Sequence, residues 1–357
     1  LGYWNKPGAT VNVYDTQTGR RIEKLPPHRH WRIEDIVFSK DSRRIASVSG
    51  FYDKNHSLAR PGEVKVWSVM KQRHLLEAEG SIHSAAFSAD GRRLTWVTKD
   101  NSLVFWDLES SEKLMELSVN SVAHCVDLSP DDRYIAAGCE DSTIKVWDLK
   151  TRQLVQTLVG HTGPVMSICF DPNSRRLASG SGDSTARIWD VASGRPRVTF
   201  SRHAGIVHGV QFSPNGRRVA SAGGQRHLVW SWDAETAEDA IAFRGHDAVT
   251  SDLDYCGDGS RLVACSSSTL KVWDTSRHAD VSRLARHGWW INAVAISPDG
   301  QLVASGANDA TAKVCDAVTG ELVAEFGQHG SNVRNLLFTP DGQHIISSGS
   351  MGTVRIW

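Results

Sequence analysis

The segment "GPVMSICF" (163–170) carries apolar Val165, Ile168 and Phe170 among smaller and more polar neighbours, and it runs into a turn at "DPNS". "RRLASGS" follows as a second strand, "GDS" as a tight turn, and "TARIWD" as a third strand. After "VASG", the run "RPRVTF" reads as a fourth. Turn residues return every 8 to 12 positions, the spacing of an all-β chain. No segment sustains the 3.6-residue period of an amphipathic helix.

The same four-strand unit recurs. Its third strand is legible as VNVYD (11–15), VKVWS (64–68), LVFWD (103–107), IKVWD (144–148), ARIWD (186–190), VWSWD (229–233), LKVWD (270–274), AKVCD (312–316) and VRIW (354–357). After a first interval lengthened by the insertion "GFYDKNHSLARPGE" (50–63), the period stays close to about 42 residues, that of four-stranded propeller blades. Four short strands cannot cover both faces of their own sheet, so each unit needs neighbours, and radial packing supplies them.

The stretch "VGHTGPVMSICFDPNSRRLASGSGDSTARIWD" (159–190) resembles, from end to end, the Gly-His…Trp-Asp unit of WD-repeat proteins. The resemblance covers nearly all of the chain. It implies an all-β propeller of four-stranded antiparallel blades over residues 1–357. Eight blades are favoured, with seven plus an overhanging repeat as the alternative. Residues 1–25 form a partial repeat, and "RRIEKL" (20–25) is expected to close the ring as a fourth strand beside "TVRIW" in 332–357. The chain opens on Leu1 and stops at Trp357, where other copies continue with aspartate, so both ends are expected to be truncated.

The resemblance also implies a structural relay within a unit: His161, Ser179, Asp183 and Trp189. Other units depart from it. Ala137 stands at the serine position of the unit ending at Trp147, and Trp96 at that of the unit ending at Trp106. Cys315 replaces the tryptophan after Ser305 and Asp309, and Met351 the aspartate before Trp357. Such drift suits a repeat array, which spreads its stability over many interfaces, better than a catalytic site.

Five positions beyond the repeat-start histidine, the resemblance places an upper-rim residue: Glu34, His83, His124, Met166, His208, Ser251, Asn292 and Arg334. Arg32, Ser81, Val122, Pro164, Ile206, Val249, Trp290 and Asn332 lie two residues earlier. Lys99, Glu140, Gln225 and Asn308 precede the turn aspartate. Of these, Arg32, Glu34, His83, His124, Met166, His208, Trp290, Asn292 and Arg334 are the candidate partner-binding residues, with Trp290 and Arg334 the strongest anchors. In "HGWWIN", adjacent tryptophans cannot both point to the same side of a strand, so one of Trp289 and Trp290 is expected to be exposed or at an edge.

The opposite rim gathers arginines in "KDSRR", "ADGRR", "PNSRR" and "PNGRR": Arg43, Arg44, Arg92, Arg93, Arg175, Arg176, Arg217 and Arg218, extended by Arg133 and Arg261. They could form a basic collar for phosphate groups, against which nearby Asp41, Asp90 and Asp131 offset the charge.

Composition narrows the function classes. Forty basic residues balance forty acidic ones, so no global field selects nucleic acid or an anionic membrane. The composition is that of an ordinary soluble domain, without a membrane span or a signal segment. The six cysteines form no C-x-x-C pair, which favours buried free thiols and a reducing, cytoplasmic setting. No P-loop, G-x-S-x-G elbow, H-E-x-x-H or kinase motif set occurs. The expected function is a non-catalytic protein-interaction scaffold with a protein or peptide partner and no cofactor or metal. Two alternatives remain: a sensor module of a larger kinase or nucleotide-binding switch protein, and a polyanion or nucleic-acid binder using the arginine rim. Nucleic acid is the less expected partner.

Overall fold

The computed structural model describes residues 9–14, 21–28, 32–39, 44–52, 58–68, 73–79, 85–88, 90–98 and 101–110. From residue 112 it describes all but 225–226, 247, 251, 268, 277–278, 284–286, 328–331, 340–341, 343–344, 350–353 and 357. Among the described residues every regular element is a strand, as the period-2 patterning requires.

Each repeat folds onto itself as a four-stranded antiparallel sheet whose strands pair in chain order. Val165–Phe170, Arg176–Ser181, Ala186–Asp190 and Pro196–Phe200 form one such sheet, with Ser179 opposite both Ile168 and Arg187. The described residues form eight sheets. Their first strands, Arg32–Phe38, Ala85–Phe87, Ala123–Leu128, Val165–Phe170, Val207–Phe212, Asp252–Tyr255, Ile291–Ile296 and Val333–Phe338, touch in sequence order. The last of them touches the first, so the circuit returns on itself. The insertion after Gly50 lengthens one hairpin, drawing its strands out to Arg44–Tyr52 and Leu58–Ser68.

The closing sheet differs from expectation. It holds five strands, in the order Arg21–His28, Ala9–Tyr14, Val354–Ile356, Ile345–Gly349 and Val333–Phe338. Ala9–Tyr14, not "RRIEKL", lies against the terminal strand, and it does so in parallel, Val11 opposite Val354 and Val13 opposite Ile356. The physical reason lies in "RIEKLPPH": Pro26 and Pro27 have no N–H to give a second neighbour, so this strand belongs at the sheet edge.

Neighbouring sheets are held by burial. Trp189 packs with Ile144, Val146 and Leu158 of the sheet before it, and Trp232 stacks on Phe200 with ring centroids 5.0 Å apart. Trp273 meets Phe243 with the rings tilted by 37°, their centroids 5.2 Å apart. The approach is close enough that a Cβ on Gly180 would stand 2.7 Å from Val207 Cγ1 of the next sheet. Along the channel, side chains of one first strand accept N–H groups of the next. Asp127 takes Phe170 N at 2.8 Å, Ser167 takes Val210 N at 3.2 Å, and Gln211 takes Tyr255 N at 3.0 Å. These bonds satisfy backbone donors that face away from their own sheets.

Candidate interaction surface

The upper-rim positions share one backbone feature. In six first strands the pairing register shifts by one residue, and the residue skipped is Glu34, His124, Met166, His208, Asn292 or Arg334. Each is the extra residue of a β-bulge, which leaves the ladder and re-aims its side chain. The signal is present in the sequence. Val165, Ile168 and Phe170 are spaced three and then two, as are Ala123, Val126 and Leu128, and Val207, Val210 and Phe212. A regular strand would keep a spacing of two, so the step of three marks an inserted residue. The side chains of Arg32 and Glu34, together with His83 and Ser251, lie outside the described residues.

Two of these bulge residues pair with the residue before the turn of their own sheet. His124 Nε2 meets Glu140 Oε2 at 2.5 Å, and Asn292 Nδ2 donates to Asn308 Oδ1 at 2.8 Å and to Val333 O at 2.6 Å. Met166 and Arg334 are half-buried and His208 is exposed. Outside them runs an apolar margin from successive sheets. Val122, Ile206, Val249 and Trp290 are 45%, 43%, 42% and 65% exposed, with half-buried Pro164 between the first two. Trp289 is exposed to 68% as well, so exposure extends beyond the one tryptophan expected to both members of the pair. Both tryptophans precede the strand, which begins at Ile291, and alternation does not govern a loop.

Beneath the rim, His161, Ser179, Asp183 and Trp189 form one hydrogen-bonded chain. Trp189 Nε1 donates to Ser179 Oγ at 2.8 Å, and Ser179 Oγ lies 2.8 Å from His161 Nε2. His161 Nδ1 lies 2.7 Å from Asp183 Oδ2. The network assigns the tautomer: Nδ1–H donates to the carboxylate and Nε2 accepts from the hydroxyl. Burial outweighs the carboxylate and lowers the His161 pKa. Burial opposes the Asp183 charge, but hydrogen bonds from Thr185, His161 and Thr162 prevail and hold its carboxyl at about 2.

The variant units show what each partner supplies. His203 and Trp232 converge on Ser221 Oγ at 2.8 and 3.0 Å without an aspartate. His287 reaches Ser305 at 2.8 Å and Asp309 at 3.0 Å, where Cys315 stands for the indole. Where Trp96 occupies the serine position, the indole N–H groups of both Trp96 and Trp106 are buried without a partner among the described residues. His30, His329, Met351 and Trp357 lie outside the described residues.

The family model for the WD domain, G-beta repeat, matches residues 112–148, 152–190, 194–233, 239–274, 280–316 and 320–357. The chain belongs to the WD-repeat family. Among curated relatives of this WD-repeat chain, the small ribosomal subunit protein RACK1y of Oryza sativa subsp. japonica is 31% identical over 134 residues, 37% of each chain. Pre-mRNA-processing factor 19 of Mus musculus is 27% identical over 166 residues, 45% of this chain and 31% of that protein. Myosin heavy chain kinase C of Dictyostelium discoideum is 24% identical over 169 residues, 46% of this chain and 21% of that protein. The matches thus span well under half of each relative. The crystal structure of the computationally designed protein Ika8 superposes with a TM-score of 0.78 at 25% identity, covering 92% of this chain and 97% of that one.

On the opposite rim of this WD-repeat chain, the second arginine of each pair is committed. Arg44 Nη1 donates to Gly91 O of the next sheet at 2.5 Å, Arg176 Nη2 to Gly216 O at 2.6 Å, and Arg261 Nη1 to Gly300 O. Arg176 also meets Asp171 at 3.1 Å and Glu235 at 2.6 Å, while Arg133 meets Asp148 at 3.2 Å and Arg218 meets Asp239 at 2.7 Å. Arg92, Arg175 and Arg217 are exposed. Arg43 lies outside the described residues. Sequence reasoning missed this division because the acceptor carbonyls stand about forty residues away. Among the described residues no group of His, Cys, Asp and Glu side chains is arranged to hold a metal ion.

Proposed function

We propose that this WD-repeat chain is a protein-interaction scaffold without catalysis of its own, and that its upper rim receives a protein or peptide partner. The observation that carries the reading is the coincidence of the β-bulges with the rim positions. Bulge residues such as Met166, His208, Asn292 and Arg334 step out of the backbone ladder, and exposed Trp290, Val249 and Ile206 border them. Polar side chains re-aimed by the bulges beside exposed apolar ones make an interface with anchors and a polar surround. A cytoplasmic setting belongs to the proposal, supported by six free cysteines.

The test compares partners retained by the native chain with those retained by Trp290→Ala and Arg334→Ala variants, with dissociation constants measured for each recovered partner. Loss of affinity in at least one variant supports the rim. Unchanged affinity in both sinks it.

A second reading makes the chain a sensor module of a larger kinase or nucleotide-binding switch protein. It draws on the similarity to a protein named myosin heavy chain kinase C, of which the match covers 21%. The polyanion reading draws on Arg92, Arg175 and Arg217.

A further inference from the structure

Between the rims of the fifth, sixth and seventh sheets lies a cavity of about 630 Å³, lined among others by His208, Val249, Thr250, Ser267, Trp290 and Asn292. Its walls are braced by Ile291 N donating to Ser267 O at 2.9 Å and Asn308 N donating to Trp290 O at 2.8 Å. It therefore stands as a formed site between sheets.

Three features of the lining restrict what can enter. Among the described lining residues there is no carboxylate, ammonium or guanidinium group. His208, an exposed imidazole, brings no fixed charge to the lining. A charged side chain entering here would lose hydration and gain no counter-charge from these residues. Trp290 is the one aromatic side chain besides His208 among the described lining residues, which therefore form no aromatic cage for a quaternary ammonium. Val249, Ala248, Ile291 and the indole of Trp290 instead offer apolar contact.

The polar groups at this site suit a peptide backbone. Both N–H bonds of the Asn292 amide are spent, on Asn308 Oδ1 and on Val333 O. That leaves Asn292 Oδ1 as an acceptor for a ligand N–H. The Thr250 hydroxyl is fully buried and has no partner among the described residues.

We infer that this cavity binds an uncharged apolar side chain on an extended peptide segment of a partner protein, with an adjacent peptide N–H donating to Asn292 Oδ1. The inference rests on the upper-rim reading above and specifies the chemistry that one part of the rim selects.

The test pans a phage-displayed library of random peptides against the full chain, followed by titration of synthetic copies of the enriched peptides. The native chain should enrich peptides with Leu, Ile, Met or Phe at one shared position. Val249→Glu and Trp290→Ala, both at exposed residues, should each weaken those peptides at least tenfold. A thermal melt matching the native chain shows that each variant is folded, and replacing the shared residue by Lys or Glu in the peptide should produce a similar loss. Peptides that are weakened by Arg334→Ala but not by Val249→Glu or Trp290→Ala would overturn the cavity proposal and leave the rim reading standing. Enrichment of Lys or Glu at the shared position would overturn it too. No enrichment by the native chain would overturn both.

Discussion

The indole N–H of Trp189 donates to Ser179 Oγ across 2.8 Å, whereas the equivalent indole N–H of Trp106 is buried without an acceptor among the described residues, because Trp96 fills the place of the serine. Two copies of one repeat thus treat the same group in opposite ways, and substitution should reveal it. Trp189→Phe should cost about 1–3 kcal/mol beyond any loss of volume, since it leaves the fully buried Ser179 hydroxyl short of a donor. Trp106→Phe removes an unpartnered N–H and should cost distinctly less. Urea unfolding of both variants measures the difference, and equal losses would contradict the account.

Acid should weaken the fold through His203. Burial lowers its pKa to about 4, against an ordinary value of 6.5. Between those values the unfolded chain binds the proton and the folded chain does not. Stability contributed by the neutral ring is therefore complete above pH 6.5 and is lost as pH falls toward 4. The shift corresponds to at most about 3 kcal/mol. His203→Gln should flatten this part of a stability-versus-pH curve obtained by chemical denaturation.

Asp254 should act with the opposite sign. Burial raises its carboxyl to about 6, despite hydrogen bonds from Gln211 and Ile296 N, from an ordinary value of 3.8. The folded chain holds this proton more tightly, so stability falls as pH rises from about 4 to 6. In Asp254→Asn the fall over that window should vanish, and denaturation midpoints at pH 4 and pH 7 read the change.

The two arginines of "PNSRR" should differ in worth. Arg176 is buried among Asp171, Glu235 and Gly216 O, whereas Arg175 is exposed. Arg176→Ala should destabilise by about 3–5 kcal/mol, because it takes the counter-charge from the buried Asp171 carboxylate and leaves it only the backbone N–H groups of residues 175 and 176. Arg175→Ala should stay within about 0.5 kcal/mol. Thermal melting distinguishes them, and comparable losses would mean that the exposed arginine is structural as well.

Much of the fold is written locally. Turn spacing and recurring third strands mark every sheet, and the step from Val165 to Ile168 marks the bulge at Met166. Histidine, serine, aspartate and tryptophan at fixed intervals mark the relay of the unit ending at Trp189. These are patterns of one chain segment, set by backbone geometry and by side-chain direction along a strand.

What tertiary structure alone decides is which segments meet. Periodicity does not say that Ala9–Tyr14 will lie against Val354–Ile356, that Arg176 will reach Gly216 O, or that Trp289 and Trp290 will both be exposed. Nor does it reveal the cavity between His208 and Asn292, whose walls come from different sheets. The reason is physical. A repeat fixes the conformation of each strand from its own residues. The partners of its edges, charges and loops lie a full repeat or the whole chain away, and packing selects them only when the sheets come together.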